Sequence, residues 1–344
     1  MNQAKKNSIC VFIIPNKKFE GAQNFFRRLH KKIKVEEKIL FIEEGRGMLN
    51  NFFKLYSIKH KTDSLNILTT VNSNKLGLIF KIFFPSSNLI MRLGNTISLE
   101  IKSNSFKYLI HKFFYLIAIR KCSKFIFQSQ VMMDDFINFF GFKNSEKFLV
   151  IHNGISDPII VNPQNDNFED KNIHFLLVGT FKKQKGYDIF LSSLLLLDEK
   201  IKNEIHFHIC GGGKNFNNFK KQLQKYKLNS LVTLHGHIEP NFFYSKCHAY
   251  ILPSRFEGFS NSLIEALSYG MPVIVSDCPS ANREVVIEDF NGIFFKNLDY
   301  EHLANKIQFM KENYNKFNKS DIIADTFKRF SIEKISEKYR ELIK

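Results

Sequence analysis

Two glutamates, Glu257 and Glu265, stand within the segment 253–276, PSRFEGFSNSLIEALSYGMPVIVS. A strand-like run at 249–252 (AYIL) precedes them, and Gly258 follows the first glutamate. Helical period begins near Ser260–Ser262 and carries Glu265 in its first turns. A helix N-terminus behind a glycine loop offers unpaired backbone amides and the positive end of the helix dipole, which suits a phosphate. A loop carboxylate at Glu257 can accept from sugar hydroxyls. Glu265 can accept two bonds from vicinal hydroxyls such as those of a ribose. A purely local reading stands beside this one. Ser262-Leu-Ile-Glu265 also spells a capping box, in which Glu265 merely reaches back to the N-cap amide.

A second group of residues lies at 176–186, LLVGTFKKQKG, directly after a strand-like run. Gly179 lets the chain turn closely, and Lys185-Gly186 closes the loop before a helix. A lysine there can neutralise a diphosphate as a point charge. At 19–23 (FEGAQ), Gly21 follows the first strand and opens a helix, where backbone can approach a ligand. The turn at 210–213 (CGGGK) is glycine-rich, yet it spells neither GxGxxG nor a Walker loop, so a nicotinamide or P-loop site is excluded. Neither HExxH nor GxSxG occurs, and the histidines are dispersed. Asp-x-Asp is also absent, so protein cations must meet the charge that a metal otherwise neutralises. No metal site and no cofactor are expected.

Positioning these loops requires strands that end at them. Apolar runs at 9–14, 38–42, 65–69, 89–92, 124–128 and 148–151, then 173–178, 205–210, 231–235, 249–252, 273–276 and 292–295, read as strands. Helical stretches at about 22–34, 105–120 and 130–140, and later at about 187–198, 217–227, 241–247, 261–269, 300–314 and 331–343, separate them. This alternation predicts α/β architecture with parallel sheets. A chain of 344 residues fits two domains. The Asn-, Asp- and Pro-rich stretch 156–172 is the natural linker, giving domains of 1–160 and 161–327. Ligands of such sheets bind beyond the carboxyl ends of the strands, where the chemistry-bearing loops fall.

Hydrophobic residues at 44% and charged residues at 24% argue against disorder. The longest apolar runs, such as 113–119, fall far short of the ~20 residues of a membrane span. The opening stretch is too short for a signal peptide, and five scattered cysteines without CxxC spacing suit a reduced, cytoplasmic setting. Net charge is uneven: +14 over 1–160 against +3 over 161–344. A basic first half suggests attraction to anionic lipid or nucleic acid, or simply a Lys-rich coding bias.

With these motifs in view, the second half closely resembles family 4 retaining glycosyltransferases of the GT-B fold, and the first half resembles them more loosely. The Glu-x7-Glu signature is Glu257…Glu265, the phosphate stretch is Gly179…Lys185-Gly186, and Gly211 and Gly213 match a glycine pair of the nucleotide domain. EGAQ at 20–23 and VIHNGI at 150–155 match first-domain turns. The resemblance implies two Rossmann-like domains facing across a cleft. The first binds the acceptor and the second a nucleotide sugar, while a last helix (about 328–344) returns to the first domain.

It also implies that Glu257 contacts donor-sugar hydroxyls and that Glu265 holds the ribose. Lys185 and the amides of Gly258, Phe259, Ser260, Asn261 and Ser262 hold the diphosphate, and backbone near His235–Ile238 holds the base. Lys185 and Glu257 are the expected catalytic pair. Thr180 stands where many relatives have Arg, and Glu20 where they have Gly. A first-domain His of many relatives is replaced by LIMRLGNTIS, with Arg92, Asn95 and Thr96 on offer to the acceptor.

The expected reaction is metal-independent, retaining transfer of a hexosyl or N-acetylhexosaminyl group from a UDP-sugar. The expected acceptor is a hydroxyl of a lipid-linked glycan or lipopolysaccharide precursor at the inner face of the cytoplasmic membrane. Rival readings are an epimerase or soluble-glucan synthase of the same fold, and a nucleic-acid-binding module, which lacks any recognition motif. The expected membrane surface is 102–124, where Lys102, Lys107, Lys112, Arg120, Lys121 and Lys124 lie among Phe106, Phe113, Phe114 and Tyr115.

Overall fold

Strand runs with almost no polar alternation belong to sheets that are covered on both faces, and that is how the chain folds. The computed structural model describes residues 8–14, 21–33, 36–41, 47–70, 73–101, 105–157, 168 and 171–343. The chain divides into two units, Met1–Gly154 with Ile332–Lys344, and Ile155–Ser331.

The first unit comprises β1 (Ser8–Ile14), α1 (Gly21–Lys32), β2 (Glu36–Phe41), α2 (Gly47–Lys59), β3 (Ser64–Thr70), α3 (Asn74–Phe83), β4 (Asn88–Arg92), α4 (Ile97–Glu100), α5 (Phe106–Lys121), β5 (Lys124–Phe127), α6 (Gln130–Phe140) and β6 (Phe148–Val150). Its sheet is parallel throughout, in the order β2-β1-β3-β4-β5-β6. One face packs Val11, Ile67, Met91 and Phe127 against α2, α3, α5 and α6. The other packs Phe12, Leu68, Ile90 and Ile126 against α1.

The second unit comprises β7 (Ile173–Val178), α7 (Tyr187–Leu195), α8 (Glu199–Lys202), β8 (Ile205–Cys210), α9 (Phe216–Lys225), β9 (Val232–Gly236), α10 (Asn241–Lys246), β10 (Ala249–Leu252), α11 (Asn261–Ser268), β11 (Val273–Asp277), α12 (Asn282–Val285), β12 (Gly292–Lys296), α13 (Tyr300–Asn313) and α14 (Lys319–Phe330). Its parallel order, β12-β11-β10-β7-β8-β9, is that of dinucleotide-binding sheets. The last helix, α15 (Ile332–Ile343), completes the first unit. Ile332, Ile335, Tyr339 and Ile343 join the core of β1 and α1, and the Asn66 amide donates to the Ile343 carbonyl at 3.0 Å.

Capping residues account for several helix limits. Ser105, Ser129, Asp299 and Asn318 accept from backbone amides at the starts of α5, α6, α13 and α14, and Gly141, at φ +65°, ends α6. The chain passes between units at 154/155 and 331/332 rather than at 160 and 327. The two passes run side by side: a Cβ on Gly154 would meet the Ile332 backbone at 3.0 Å, and the Ile155 amide donates to the Phe330 carbonyl at 2.9 Å. Most of the expected linker, 158–167 and 169–170, lies outside the described residues.

Candidate active site

In an open parallel sheet the ligand crevice forms where the strand order reverses. In the second unit that point lies between β7 and β10, which pair directly. The loop after β7 carries Gly179, Thr180 and Lys185. The loop after β10 carries Glu257 and Gly258 and runs into α11. The two most informative motifs therefore meet at one place, although 72 residues separate Lys185 from Glu257.

They meet as an ion pair. Lys185 Nζ lies 2.6 Å from Glu257 Oε1, with side chains 20% and 8% exposed. Ser254 Oγ donates to the same oxygen at 2.7 Å, and Gln184 Nε2 approaches Oε2 at 3.4 Å. The lysine stem lies along Gly179, where an added Cβ would sit 3.3 Å from Lys185 Cε. An ammonium has three donors. The Glu257 contact uses one, so the cation keeps bonding capacity on its exposed side.

Backbone contacts make the two loops one body. Gly186 has φ +67°, and a Cβ there would approach the Pro253 carbonyl oxygen to 1.9 Å, so any larger residue would separate the loops. The Arg255 amide donates to the Gln184 carbonyl at 2.8 Å, and Gln184 Nε2 donates to the Phe256 carbonyl at 3.1 Å. Arg255 grips Asp188 through two bonds of 2.7 and 2.6 Å. That hydrogen-bonded guanidinium holds the Asp188 carboxyl below its usual range.

Helix α11 begins at Asn261 with Ser260 as N-cap, and Ser260 makes no side-chain cap bond. Ser262 is therefore the second residue inside the helix, and the capping-box reading fails, because the Glu partner of a Ser260 cap would have to stand at 263, which is Leu263. Ser262 Oγ instead accepts from the Tyr250 hydroxyl at 2.8 Å. Half-buried Glu265 accepts from the Tyr244 hydroxyl at 3.4 Å. Phe259 is buried and meets Phe330 edge-on at 5.9 Å. A third loop, after β11, joins the cluster through Glu257 N to Pro279 O and Ala281 N to Gly258 O, both 3.3 Å.

The glycine turn after β8 packs on the same centre. A Cβ on Gly211 would lie 1.9 Å from the Gly179 carbonyl oxygen, and the Gly211 amide donates to the Gly236 carbonyl at 2.7 Å. Ile238, just beyond β9, is 45% exposed.

Beside this turn runs a row of imidazoles that the dispersed histidines in the sequence did not suggest. His174 Nδ1 and His208 Nε2 are 2.9 Å apart, and His208 Nδ1 and His235 Nε2 are 3.0 Å apart. Phe168 stacks on His174 at 3.8 Å. The cross-strand signal was present in IHFLLV, IHFHIC and TLHG, but only the register of β7, β8 and β9 aligns it.

Burial, assisted by the charge of His206, holds His235 below the ordinary histidine value of 6.5. The fold thus favours neutral His235, while the unfolded chain protonates it at the ordinary value. Stability is complete above about pH 6.5 and declines as pH falls below it. Thermal midpoints measured from about pH 8 to about pH 5 should fall on the acid side, and more shallowly for His235→Gln. His30, also lowered by burial, keeps the slope from vanishing. Equal slopes in parent and variant would refute a role for His235.

Two of the three acceptor candidates are buried in the first unit. Arg92 ends β4 at 1% exposure, its guanidinium 4.8 and 5.3 Å from the Phe25 and Phe26 rings and hydrogen-bonded to Asn153. It does not present its charge at the surface. Thr96, the N-cap of α4, is buried with its hydroxyl unpartnered, and Asn95 is half-exposed. Gly21 is the first residue of α1, while the preceding loop, including Glu20, lies outside the described residues.

Residues 160–324 match the family model described as Glycosyl transferases group 1. An uncharacterized glycosyltransferase of Methanocaldococcus jannaschii is 29% identical over 161 residues, 46% of this chain and 42% of that protein. The N-acetylgalactosamine-N,N'-diacetylbacillosaminyl-diphospho-undecaprenol 4-alpha-N-acetylgalactosaminyltransferase of Campylobacter jejuni is 24% identical over 271 residues, 77% of this chain and 73% of that protein. In three dimensions, HepE of Anabaena, crystallised with UDP-glucose, superposes with a TM-score of 0.79 at 18% identity, covering 97% of this chain and 98% of that one. At that identity the likeness speaks for the fold.

The protein thus has the fold of the GT-B glycosyltransferases. Within its second unit, residues 160–324 are similar to the group 1 glycosyl transferases, and the chain spans under half the length of the first of these relatives.

Proposed function

We propose that the protein transfers a sugar, with retention of configuration and without a metal, from a UDP-sugar to a hydroxyl of a lipid-linked glycan or lipopolysaccharide precursor. The observation that carries this reading is the Lys185–Glu257 pair at the strand-order reversal of a dinucleotide-type sheet, on the loop that leads into α11. The donors of Lys185 left over by Glu257 and the first amides of α11 suit a diphosphate. Glu265, which stands beyond the capping-box position of α11, suits a ribose. As the bond between the anomeric carbon and the β-phosphate oxygen breaks, negative charge grows on that phosphate and meets a preorganised cation and amides. The acceptor oxygen forms the new bond on the same face, and its proton passes to the departing phosphate.

A UDP-glucose complex of a protein with this fold and a relative named for a diphospho-undecaprenol acceptor support the choice of donor and acceptor class. No helix among the described residues is long and apolar enough to cross a membrane. We place the reaction at the inner face of the cytoplasmic membrane, to which the basic first unit is drawn. The test is UDP release from a panel of UDP-sugars with and without a lipid-linked acceptor, in the presence of a chelator. Acceptor-dependent release with a product of unchanged anomeric configuration is expected. Release without acceptor, an inverted product or loss of turnover in chelator would each overturn the corresponding part.

A further inference from the structure

Helix α5 is apolar on both sides. Its inner side packs Tyr108, Phe114, Tyr115 and Ala118 into the core on this face of the sheet, where Tyr108 and Tyr115 meet Phe136, Phe139 and Phe140 of α6. Its outer side exposes Phe106, Leu109, Ile110, Phe113 and Leu116, with the two phenylalanines 78% and 67% exposed. Those five positions recur at three- and four-residue steps and form one stripe along the helix. A helix with apolar residues on two sides ordinarily has both covered by protein or by lipid, and here the outer one lacks cover among the described residues.

The stripe continues over the same layer. All connections from β2 through β6 cross one face of the sheet, so α2, α3 and α5 are its outer surface. Phe53 on α2 and Ile82 and Phe83 on α3 are also exposed. Phe52 holds Phe53 and Phe83 edge-on at 6.2 and 5.9 Å. Exposed apolar surface on this scale marks an interaction site.

Charge selects the occupant. Between residues 47 and 133 the chain carries twelve Lys and Arg, among them buried Arg92 and Lys102, which lies outside the described residues, and only two acids, Asp63 and Glu100. Lys107, Arg120 and Lys121 are exposed around the α5 stripe. A second copy of this face would bring like charges together, whereas anionic lipid headgroups complement them. We propose that the α2–α3–α5 layer is a membrane-docking face, which lies flat on anionic lipid and inserts the α5 stripe among the acyl chains. Of the expected aromatics, Phe106 and Phe113 insert, while Phe114 and Tyr115 belong to the core.

The proposal deepens the membrane-side reading given above, and it differs from charge attraction alone in leaving binding that salt cannot abolish. Full-length protein is floated with phosphatidylcholine vesicles, alone or with about 30% phosphatidylglycerol, in about 0.1 M and about 1 M salt. Binding to the anionic vesicles is expected, reduced but retained at high salt. Phe106→Ser/Phe113→Ser should lower partitioning on the order of 100-fold at both salt levels.

All five native cysteines are buried, so a polarity-sensitive dye on Phe113→Cys reports insertion even if the double variant unfolds. A blue shift on anionic vesicles is expected. No shift, unchanged partitioning of the folded double variant, or self-association in sedimentation that the double variant abolishes would overturn the proposal. Turnover on a water-soluble acceptor analogue separates the two readings: a variant that loses vesicles and keeps turnover leaves the transferase standing.

Discussion

Glu265→Gln should melt like the parent and bind the UDP-sugar donor roughly 5- to 150-fold more weakly, a loss on the order of 1–3 kcal/mol. A carboxylate can accept both bonds of a vicinal diol, whereas an amide offers one acceptor and one donor, so one of the pair becomes a mismatch. Stability should hold, because Gln retains an oxygen for the Tyr244 hydroxyl, and a helix that starts at Asn261 takes no cap from position 265. The measurement is donor-dependent steady-state kinetics with thermal unfolding of the same preparation. Unaltered donor affinity in a variant that melts normally would remove Glu265 from the donor site.

Lys185→Ala should reduce turnover by about 10²- to 10³-fold, more than it weakens donor binding, because charge grows on the leaving diphosphate only as the bond breaks. The ion pair with Glu257 complicates this single change. Removing the ammonium leaves a carboxylate at 8% exposure with Ser254 and Gln184 as its remaining hydrogen-bond donors. Breaking fully buried pairs costs about 3–5 kcal/mol, and partial exposure of the lysine brings the expected loss below that range. Lys185→Ala/Glu257→Gln separates the effects by discharging the orphaned partner. The double variant should recover most of the lost melting temperature and none of the turnover. Recovery of turnover with stability would mean that Lys185 serves the fold alone.

Much of this was legible in the sequence. Each second-unit strand lies within a residue or so of its apolar run, since the runs are short, β-branched and bounded by turns. Helices α2 and α3 were not delimited, because NNFFKLYSIK and NKLGLIFKIF put apolar residues on the solvent side as well and erase the contrast on which helical period depends. Helix α14 was passed over, although Asn318 with Asp321 announces its start. The site motifs were legible as separate loops. Their joining was legible only through the family resemblance, because the contact of Lys185 with Glu257 follows from β7 pairing with β10, a long-range choice that no local pattern encodes. Ser262…Glu265 misled for the converse reason: the pattern was locally sound, but the loop from β10 starts the helix one residue before Ser262.

The placement of α15 in the first unit has a consequence for synthesis. Residues 155–331 bury cores of their own, so the second unit needs nothing from the first to complete its core. The unit made first waits with Phe25, Ile90 and Ile126 still missing Ile332, Ile335 and Tyr339. At about 5–20 residues per second, the 177 intervening residues hold that seam open in the nascent chain for roughly 10–35 s. An aromatic-rich, basic half-domain passes through that interval with one seam of its core unsealed.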